Sequence, residues 1–184
     1  MIARIRHFVS HHRIATSAAF AALFLAMADP TLHSVLLGLP LVVLAEALRT
    51  WSSGYIQKDH TLATDGPYSL TRNPMYFGNL VLGLGFALMA NRWWVLVGLL
   101  LAFALIYDAT IKAEEANLLR RFGDAYVRYC RDVPRFVPRL TAWRRGPFQW
   151  CLVRKHREFK TWAWLGGVLL AMSVMMWRNE SGER

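Results

Sequence analysis

Hydrophobic residues are concentrated in five stretches that carry almost no charge. They cover residues 14–28, 32–48, 75–90, 93–107 and 162–177. Each stretch has 15 to 17 residues, fewer than the roughly 20 that a membrane-spanning helix needs, so each must recruit flanking residues to cross a bilayer. Tryptophans lie at several of the ends, where an indole keeps its ring in apolar surroundings and its N–H in water. The pattern predicts an all-α membrane protein with about five transmembrane helices.

The distribution of positive charge supports this prediction. Of the 184 residues 55% are hydrophobic, yet 22 Lys and Arg stand against 12 Asp and Glu. With a cytoplasmic N-terminus, five spans place 19 of the 22 cations on the cytoplasmic side and leave Arg92, Arg178 and Arg184 outside. Such segregation follows the positive-inside rule, whereas a basic stripe for nucleic acid would not be divided in this way. We therefore predict an integral membrane protein, a cytoplasmic N-terminus and no nucleic-acid partner.

The chain is predicted to form one domain, residues 1–184, with three parts. Residues 14–48 form a transmembrane hairpin, residues 49–140 a core that contains the third and fourth spans with the polar motifs described below, and residues 141–184 a basic connector with the last transmembrane helix. The alternative for residues 1–28 is a secretory signal, since a basic start and an apolar run precede Ala26-Met27-Ala28. The connector at 143–160 is either a solvated link or a segment lying on the anionic leaflet.

The two cysteines give no indication of a metal site. Cys130 and Cys151 both fall in the predicted cytoplasmic loop, where thiols stay reduced, and their spacing matches no zinc motif. We predict structural roles for both cysteines and no bound metal.

Two sets of residues predict helix boundaries near the polar motifs. Asn73 is placed to cap a helix whose first residue is Pro74. The backbone N–H groups of such a helix start suit an anion or the oxygens of a ribose. Gly123 suits the C-cap of the fourth span, which runs on without a breaker, and Asp124 the cap of a short helix that stops before Pro134.

Glu114 and Glu115 form a pair of carboxylates just beyond the fourth apolar stretch. Adjacent residues on a helix point about 100° apart, so only one of the two can face a given pocket. A carboxylate near a membrane boundary is a candidate functional group. The alternative is a solvated helix face on which Glu114 pairs with Arg120, or Glu115 with Arg121.

A set of motifs within residues 46–140 carries a family resemblance. The motifs are Gly66-Pro67-Tyr68, Arg72-Asn73-Pro74-Met75-Tyr76-Phe77-Gly78, Glu114-Glu115 with Leu118, Phe122-Gly123, Tyr126, Tyr129, and Val133-Pro134-Arg135-Phe136 with Pro138. Together they resemble the signature of the isoprenylcysteine carboxyl methyltransferase family, and related phospholipid N-methyltransferases share its second half. These are integral membrane enzymes that use S-adenosylmethionine without a Rossmann domain. The sequence agrees, because no predicted strand leads into a glycine-rich turn.

The resemblance implies cofactor contacts and catalytic residues by position. The implied contacts are Gln57, His60, Thr61, Leu62, Ala63, Tyr68, Asn73, Pro74, Met75, Tyr76 and Glu114, and the implied catalytic residues are Arg72, Asn73 and Glu114. Glu114 suits the ribose hydroxyls or the amino group of the cofactor. Gly83-Leu84-Gly85 matches a cofactor motif of the phospholipid enzymes, but small residues also let helices pack closely, and packing is the preferred interpretation.

Two positions depart from the family pattern. Most relatives have His where this chain has Asn73, which keeps a hydrogen-bonding side chain but removes a titrating group. The carboxyl methyltransferases carry an Arg that meets the substrate carboxylate four residues before the glutamate, and here that substrate position is Thr110. Arg72 or Lys112 would have to replace it, so a prenylcysteine carboxylate is not favoured as the acceptor.

The sequence thus predicts S-adenosylmethionine-dependent methyl transfer to a lipophilic, membrane-embedded acceptor. The alternatives are a methyltransferase for a small thiol or amine, and a membrane scaffold without activity. An ammonium or thiol acceptor must lose a proton, for which His60 is the nearest base. The alternative role for His60 is to order the backbone. His11, His12, His33 and His156 are interpreted as incidental. Glu46 is predicted to pair with Arg49 at i+3, or else to line the acceptor channel.

Overall fold

The apolar stretches fold as helices that continue beyond the apolar residues themselves. The computed structural model describes residues 27–56, 61–140, 143–156 and 159–182. The helices in these ranges are α1 Leu32–Ser53, α2 Pro67–Leu70, α3 Pro74–Met89, α4 Trp93–Phe122, α5 Asp124–Asp132, α6 Trp150–His156 and α7 Phe159–Gly182. Since these ranges contain no strand, the all-α prediction without a Rossmann domain is confirmed for them.

Three of the helices are long and apolar enough to span a membrane. They are Leu32–Ser53, Trp93–Phe122 and Phe159–Arg178, and α3 is a shorter apolar helix of 16 residues. α1 has 22 residues and α4 has 30, so the shortness of the apolar stretches does not limit these two helices. Most of the first predicted span, residues 14–28, lies outside the described residues. The count of five spans therefore stays a prediction.

Local capping explains where several helices begin and end. Thr31 caps α1 in a reciprocal pair with Ser34. Gly123 ends α4 at a φ of 49°, a left-handed conformation that favours glycine. Gly123 is also the N-cap of α5 and Asp124 is its first residue, so the capping role predicted for Asp124 was wrong. Asn73 stands at the predicted N-cap position, but its side chain does not cap α3. Its amide is used elsewhere, so the capping role was wrong.

The tight approach of α1 to α3 depends on glycine. A Cβ added at Gly38 would lie 2.4 Å from the Gly85 carbonyl oxygen, and one at Gly85 would lie 2.6 Å from Cγ2 of Val42. A Cβ at Gly83 would lie 2.7 Å from Cδ1 of Leu99 on α4. The packing interpretation of Gly83 and Gly85 is therefore confirmed. α7 completes this core, which is built around Val42, Met89, Leu165 and Met172.

A second cluster forms where α5 folds back beside the end of α4. Tyr126, Tyr129 and Val133 are buried there, against partners that include Leu62 and Leu118. The Tyr129 hydroxyl donates a hydrogen bond of 2.7 Å to the Tyr68 carbonyl oxygen. Burial raises the pKa of the Tyr129 phenol, so the hydroxyl stays protonated and keeps donating at neutral pH. This hydrogen bond thereby fixes α2, the short helix that precedes α3.

The segment at Asp29, just before α1, meets the turn between α3 and α4. The Asp29 amide donates to the Ala90 carbonyl oxygen at 3.0 Å, and Arg92 pairs with the Asp29 carboxylate at 3.0 Å.

At the other end of α1, Glu46 pairs with Arg49 at 3.1 Å and is fully buried. The structural pairing predicted for Glu46 is confirmed.

Candidate active site

A cavity of about 570 Å³ opens between the ends of α1, α3 and α4. α5, α6 and the loop around residue 62 complete its wall. The lining residues predicted from the sequence are Thr61, Leu62, Ala63, Tyr68, Arg72, Asn73, Pro74, Met75, Tyr76 and Glu114. The structure thus brings one cluster together from residues that are up to 53 positions apart in the chain.

Glu114 and Tyr76 form a polar pair in this cavity. The Tyr76 hydroxyl donates a hydrogen bond of 2.7 Å to Oε2 of Glu114. The Tyr76 ring meets the Tyr107 ring edge to face, with centroids 5.5 Å apart. The Glu114 side chain remains exposed in the open cavity. A carboxylate so placed can accept hydrogen bonds from the hydroxyl or amino groups of a ligand.

Glu115 points away from the cavity into a network of ion pairs. Its carboxylate lies 3.2 Å from Arg72 and 3.0 Å from Arg135, and Arg135 also contacts Asp108 at 3.1 Å. The expectation that only one glutamate faces the pocket is confirmed. The alternative pairing of the glutamates with Arg120 and Arg121 was wrong, because residues six apart point about 120° apart around a helix.

The segment after α5 is held against the start of α3 by backbone acceptors. The Asn73 side-chain amide donates to the Arg135 carbonyl oxygen at 2.8 Å, and the Thr71 hydroxyl donates to the Phe136 carbonyl oxygen at 2.9 Å. The Arg72 amide donates to the Pro134 carbonyl oxygen at 2.9 Å. Three successive residues before α3 therefore anchor residues 134–136, and this is the use that replaces capping by Asn73.

Removing the shared charge of this network is expected to destabilise the fold. In Glu115→Gln the Arg72 and Arg135 side chains lose their common partner and face each other, which we expect to lower the free energy of unfolding by about 1–2 kcal/mol. Thermal unfolding in detergent measures the change. Asp132→Asn is the matched control, since its pair with Arg144 spans 3.4 Å between side chains that are 59% and 55% exposed. Equal unfolding temperatures for the two variants would contradict the prediction.

Three predicted site residues are not part of the observed cluster. Gln57 and His60 lie outside the described residues. Thr110, predicted at the substrate position, is exposed on α4, and the described lining does not include it. Lys112, considered as a replacement for the missing arginine, pairs with Asp108 at 2.6 Å. Of the two replacements considered, Arg72 is the one that lines the cavity.

Sequence reasoning did not assign the rest of the lining to the site. These residues are Ser53, Ile56, Asn79, Asn117, Leu118, Arg121, Phe122, Tyr129 and His156. Helical periodicity was the available signal for several, since Asn117 and Arg121 follow Glu114 by three and seven positions and Asn79 follows Tyr76 by three. His156, interpreted as incidental, lines the cavity. It comes from the connector, and no spacing links it to α4.

The donor set of the cavity fits S-adenosylmethionine. A nucleoside needs an acceptor for its ribose hydroxyls, and Glu114 supplies a carboxylate. The adenine ring needs apolar walls, which Leu62, Leu118 and Phe122 supply. The amino-acid end carries a carboxylate, for which Arg72 is the matching cation. Within the described residues no group of three or more His, Cys, Asp or Glu is arranged to hold a metal ion.

Comparison with known proteins agrees with a cavity that fits S-adenosylmethionine. Residues 43–125 match the phospholipid methyltransferase family. The cobalt-zinc-cadmium resistance protein CzcN of Cupriavidus metallidurans is 42% identical over 116 residues, which cover 62% of this chain and 53% of that protein. The nickel-cobalt-cadmium resistance protein NccN of Alcaligenes xylosoxydans xylosoxydans is 35% identical over 146 residues, 76% of this chain and 68% of that protein.

A third relative bears the name of a methyltransferase. The protein-S-isoprenylcysteine O-methyltransferase of Schizosaccharomyces pombe is 35% identical over 81 residues, which cover 44% of this chain and 34% of that enzyme. The chain therefore spans about half the length of CzcN and a third of the yeast enzyme. The residues matched to the family include most of the cavity lining. The chain belongs to the isoprenylcysteine and phospholipid methyltransferase family of integral membrane methyltransferases.

Proposed function

We propose that this protein transfers a methyl group from S-adenosylmethionine to a lipophilic acceptor in the membrane. The observation that carries the proposal is the cavity of about 570 Å³, in which Glu114 and Tyr76 meet the Thr61–Ala63 loop and the start of α3. Its volume is in the range of pockets for ligands of this size. In this proposal Glu114, Tyr76 and the 61–63 loop hold the nucleoside, and Arg72 and Asn73 lie near the transfer.

The mechanism needs alignment more than covalent catalysis. The cofactor supplies a sulfonium methyl group that is already electrophilic, so the reaction is an in-line displacement. Glu114 and Tyr76 fix the orientation of the cofactor through hydrogen bonds, and Arg72 is itself held by Glu115 at 3.2 Å and by Cys130 at 2.8 Å. Leu62, which packs against the buried Tyr126–Val133 cluster, contributes an apolar wall that excludes water.

The length of α4 supports a site at the membrane boundary. Thirty helical residues extend about 45 Å, whereas the hydrocarbon core is about 30 Å thick, so roughly 15 Å protrudes. Glu114 follows Trp93 by 21 residues, or about 32 Å along the axis. A span that begins at Trp93 therefore brings Glu114 to the opposite interface. With the predicted five spans and cytoplasmic N-terminus, this is the cytoplasmic interface.

A row of aromatic rings supports entry of the acceptor from the bilayer. The Phe103 and Tyr107 rings stack with centroids 4.3 Å apart, and the Tyr107 ring contacts Tyr76 beside Glu114. The preceding part of α4 exposes large apolar side chains, among them Leu101 at 60%. An acyl or prenyl chain on this face would place its polar end near the cavity. Residues 49–140 remain the proposed core, to which the connector adds His156.

Calorimetry with S-adenosylhomocysteine tests the proposal directly. The purified protein in detergent is expected to bind this product with micromolar affinity and to unfold at a higher temperature when it is bound. No heat and no thermal shift at millimolar ligand would leave only the scaffold alternative. A methyltransferase for a small thiol or amine would bind equally, so the methylated product must be identified to separate it from the lipid enzyme.

The names of two relatives favour a second proposal at the level of the cell. CzcN and NccN are named for resistance to cobalt, cadmium and other metals, and we propose that methyl transfer by this protein contributes to such tolerance. A deletion strain complemented with wild type or with Glu114→Gln tests this on cobalt and cadmium media. Equal growth of the two complemented strains would show that any resistance does not need the cavity.

A further inference from the structure

The connector before the last helix brings a histidine into the cavity. His156 is the final residue of α6 and lines the cavity together with Glu114 and Tyr76. Its Nδ1 atom is buried and has no hydrogen-bond partner among the described residues. A ring nitrogen that water does not reach cannot meet a ligand either, so Nε2 is the nitrogen of His156 left to face the cavity.

The position of His156 is set by packing of α6 against the end of α1. Leu152 and Val153 are buried, and the Gln149 amide donates to the Gly54 carbonyl oxygen at 3.0 Å. Phe148 fills the space beside Gly54, where an added Cβ would lie 2.3 Å from Cε2 of the ring. The histidine therefore stands on an ordered support. The end of α1 contributes Ser53 to the same cavity, and Ile56 follows just beyond that helix.

Other titratable or charged groups reach this cavity from each neighbouring element. They are Tyr68, Arg72, Tyr76, Glu114, Arg121 and Tyr129. Arginine stays charged and phenols titrate far above neutral pH. The Glu114 carboxylate is the group proposed to bind the nucleoside. Histidine is the residue type that gains and loses a proton between pH 5 and 8. Within the described lining, His156 is the one side chain of this type.

We infer that His156 takes the proton from the methyl acceptor, which makes the acceptor an amine, thiol or hydroxyl rather than a carboxylate. This inference rests on the proposed methyl transfer. The acceptor X–H bond breaks, its proton passes to the imidazole ring, and the lone pair on X forms the new X–C bond. The C–S bond of the sulfonium breaks with its electron pair left on sulfur, which becomes a neutral thioether. The imidazolium then releases its proton to water.

The exposed Thr110 agrees independently with this class of acceptor. A carboxylate is already ionised at neutral pH, so it needs a cation to bind it and no group to remove a proton. The arginine that the carboxyl methyltransferases carry at this position is replaced by Thr110, and Thr110 is outside the described cavity lining. The lining thus offers a proton acceptor at His156 and no cation from position 110. Of its two arginines, Arg72 pairs with Glu115 and is assigned to the carboxylate of the cofactor, and Arg121 lies on α4 beside Leu118 and Phe122, the proposed adenine walls.

The test compares His156→Gln with His33→Gln, whose parent histidine is exposed on α1. Methyl transfer from labelled S-adenosylmethionine is followed with hexadecanethiol and with N-acetyl-S-farnesylcysteine as probes. With the thiol, His156→Gln should be about a hundredfold slower than wild type, and its rate should depend on pH differently from that of wild type. Both variants should bind S-adenosylhomocysteine within about twofold of wild type by calorimetry.

Several results would overturn the inference. A tenfold loss of S-adenosylhomocysteine affinity in His156→Gln would make the histidine a cofactor contact. An unchanged pH profile with the thiol would show that it takes no proton, and faster transfer to the farnesylcysteine carboxylate than to the thiol would refute the acceptor class. If His156→Gln does not fold, rescue of His156→Ala by added imidazole replaces it, and no rescue counts against the inference. Failure of wild type to bind S-adenosylhomocysteine would instead refute the proposed function.

Discussion

Glu114→Gln is expected to abolish S-adenosylhomocysteine binding and to leave the stability of the fold intact. The Glu114 side chain is exposed in the open cavity, and its hydrogen bond is the one that Tyr76 donates at 2.7 Å. A glutamine oxygen can accept that bond equally well. The nucleoside loses charge-assisted hydrogen bonds from two hydroxyls, together about 3 kcal/mol, which lowers affinity more than a hundredfold. Calorimetry and the thermal shift at millimolar ligand measure the loss.

The neighbouring glutamate provides the matched control for this experiment. Glu115→Gln removes the same charge one residue further along α4, but that side chain pairs with Arg72 and Arg135 and is absent from the described cavity lining. It should bind the ligand and unfold at a lower temperature, the reverse of Glu114→Gln. Wild-type affinity in Glu114→Gln would remove this carboxylate from the proposed site.

Gly38→Val is expected to have the largest effect on folding. The new Cβ would lie 2.4 Å from the Gly85 carbonyl oxygen and 2.4 Å from Cγ of Met89. A backbone oxygen cannot move aside as a flexible side chain does, so α1 and α3 must separate. We expect a loss of about 3 kcal/mol in the free energy of unfolding. Since both helices line the cavity through Ser53 and Tyr76, ligand binding should fall with it.

Gly98→Val tests whether this cost comes from the contact or from the residue type. Gly98 lies in the second turn of α4, and a Cβ there meets nothing within 4 Å. The same substitution should therefore change stability by less than about 1 kcal/mol. Unfolding temperatures of the two variants in the same detergent give the comparison. Similar temperatures would mean that the approach of α1 to α3 is looser than the structure indicates.

Local signals in the sequence were sufficient for much of the fold. Gly123 ends α4 because its left-handed backbone favours glycine, and Pro74 begins α3 because its missing N–H costs nothing there. The prediction that Tyr76 and Glu114 belong to one site came from the family resemblance. Spacing alone left the solvated helix face open for both glutamates.

Contacts between distant segments were not predictable in the same way. The Asn73 side chain could either cap α3 or bind a distant backbone group. It binds the Arg135 carbonyl oxygen because the segment after α5 docks beside it. The pairing of Asp108 with Arg135 depends on that docking too. His156 follows Glu114 by 42 residues, on an element placed by its packing against α1. No local pattern encodes such a position, so the histidine became visible only in three dimensions.

The uninterrupted course of α4 gives the proposed reaction a mechanical dependence on the lipid. No loop lies between Trp93 and Glu114 to absorb a change in bilayer thickness, so a thicker membrane must be met by a smaller helix tilt or by drawing the carboxylate toward the hydrocarbon. Thinning acts in the opposite sense and lifts the cavity away from a chain anchored among the lipids. Because the length of α4 is fixed, the acyl chain length of the surrounding lipids regulates the distance between the methyl donor in the cavity and the acceptor in the membrane.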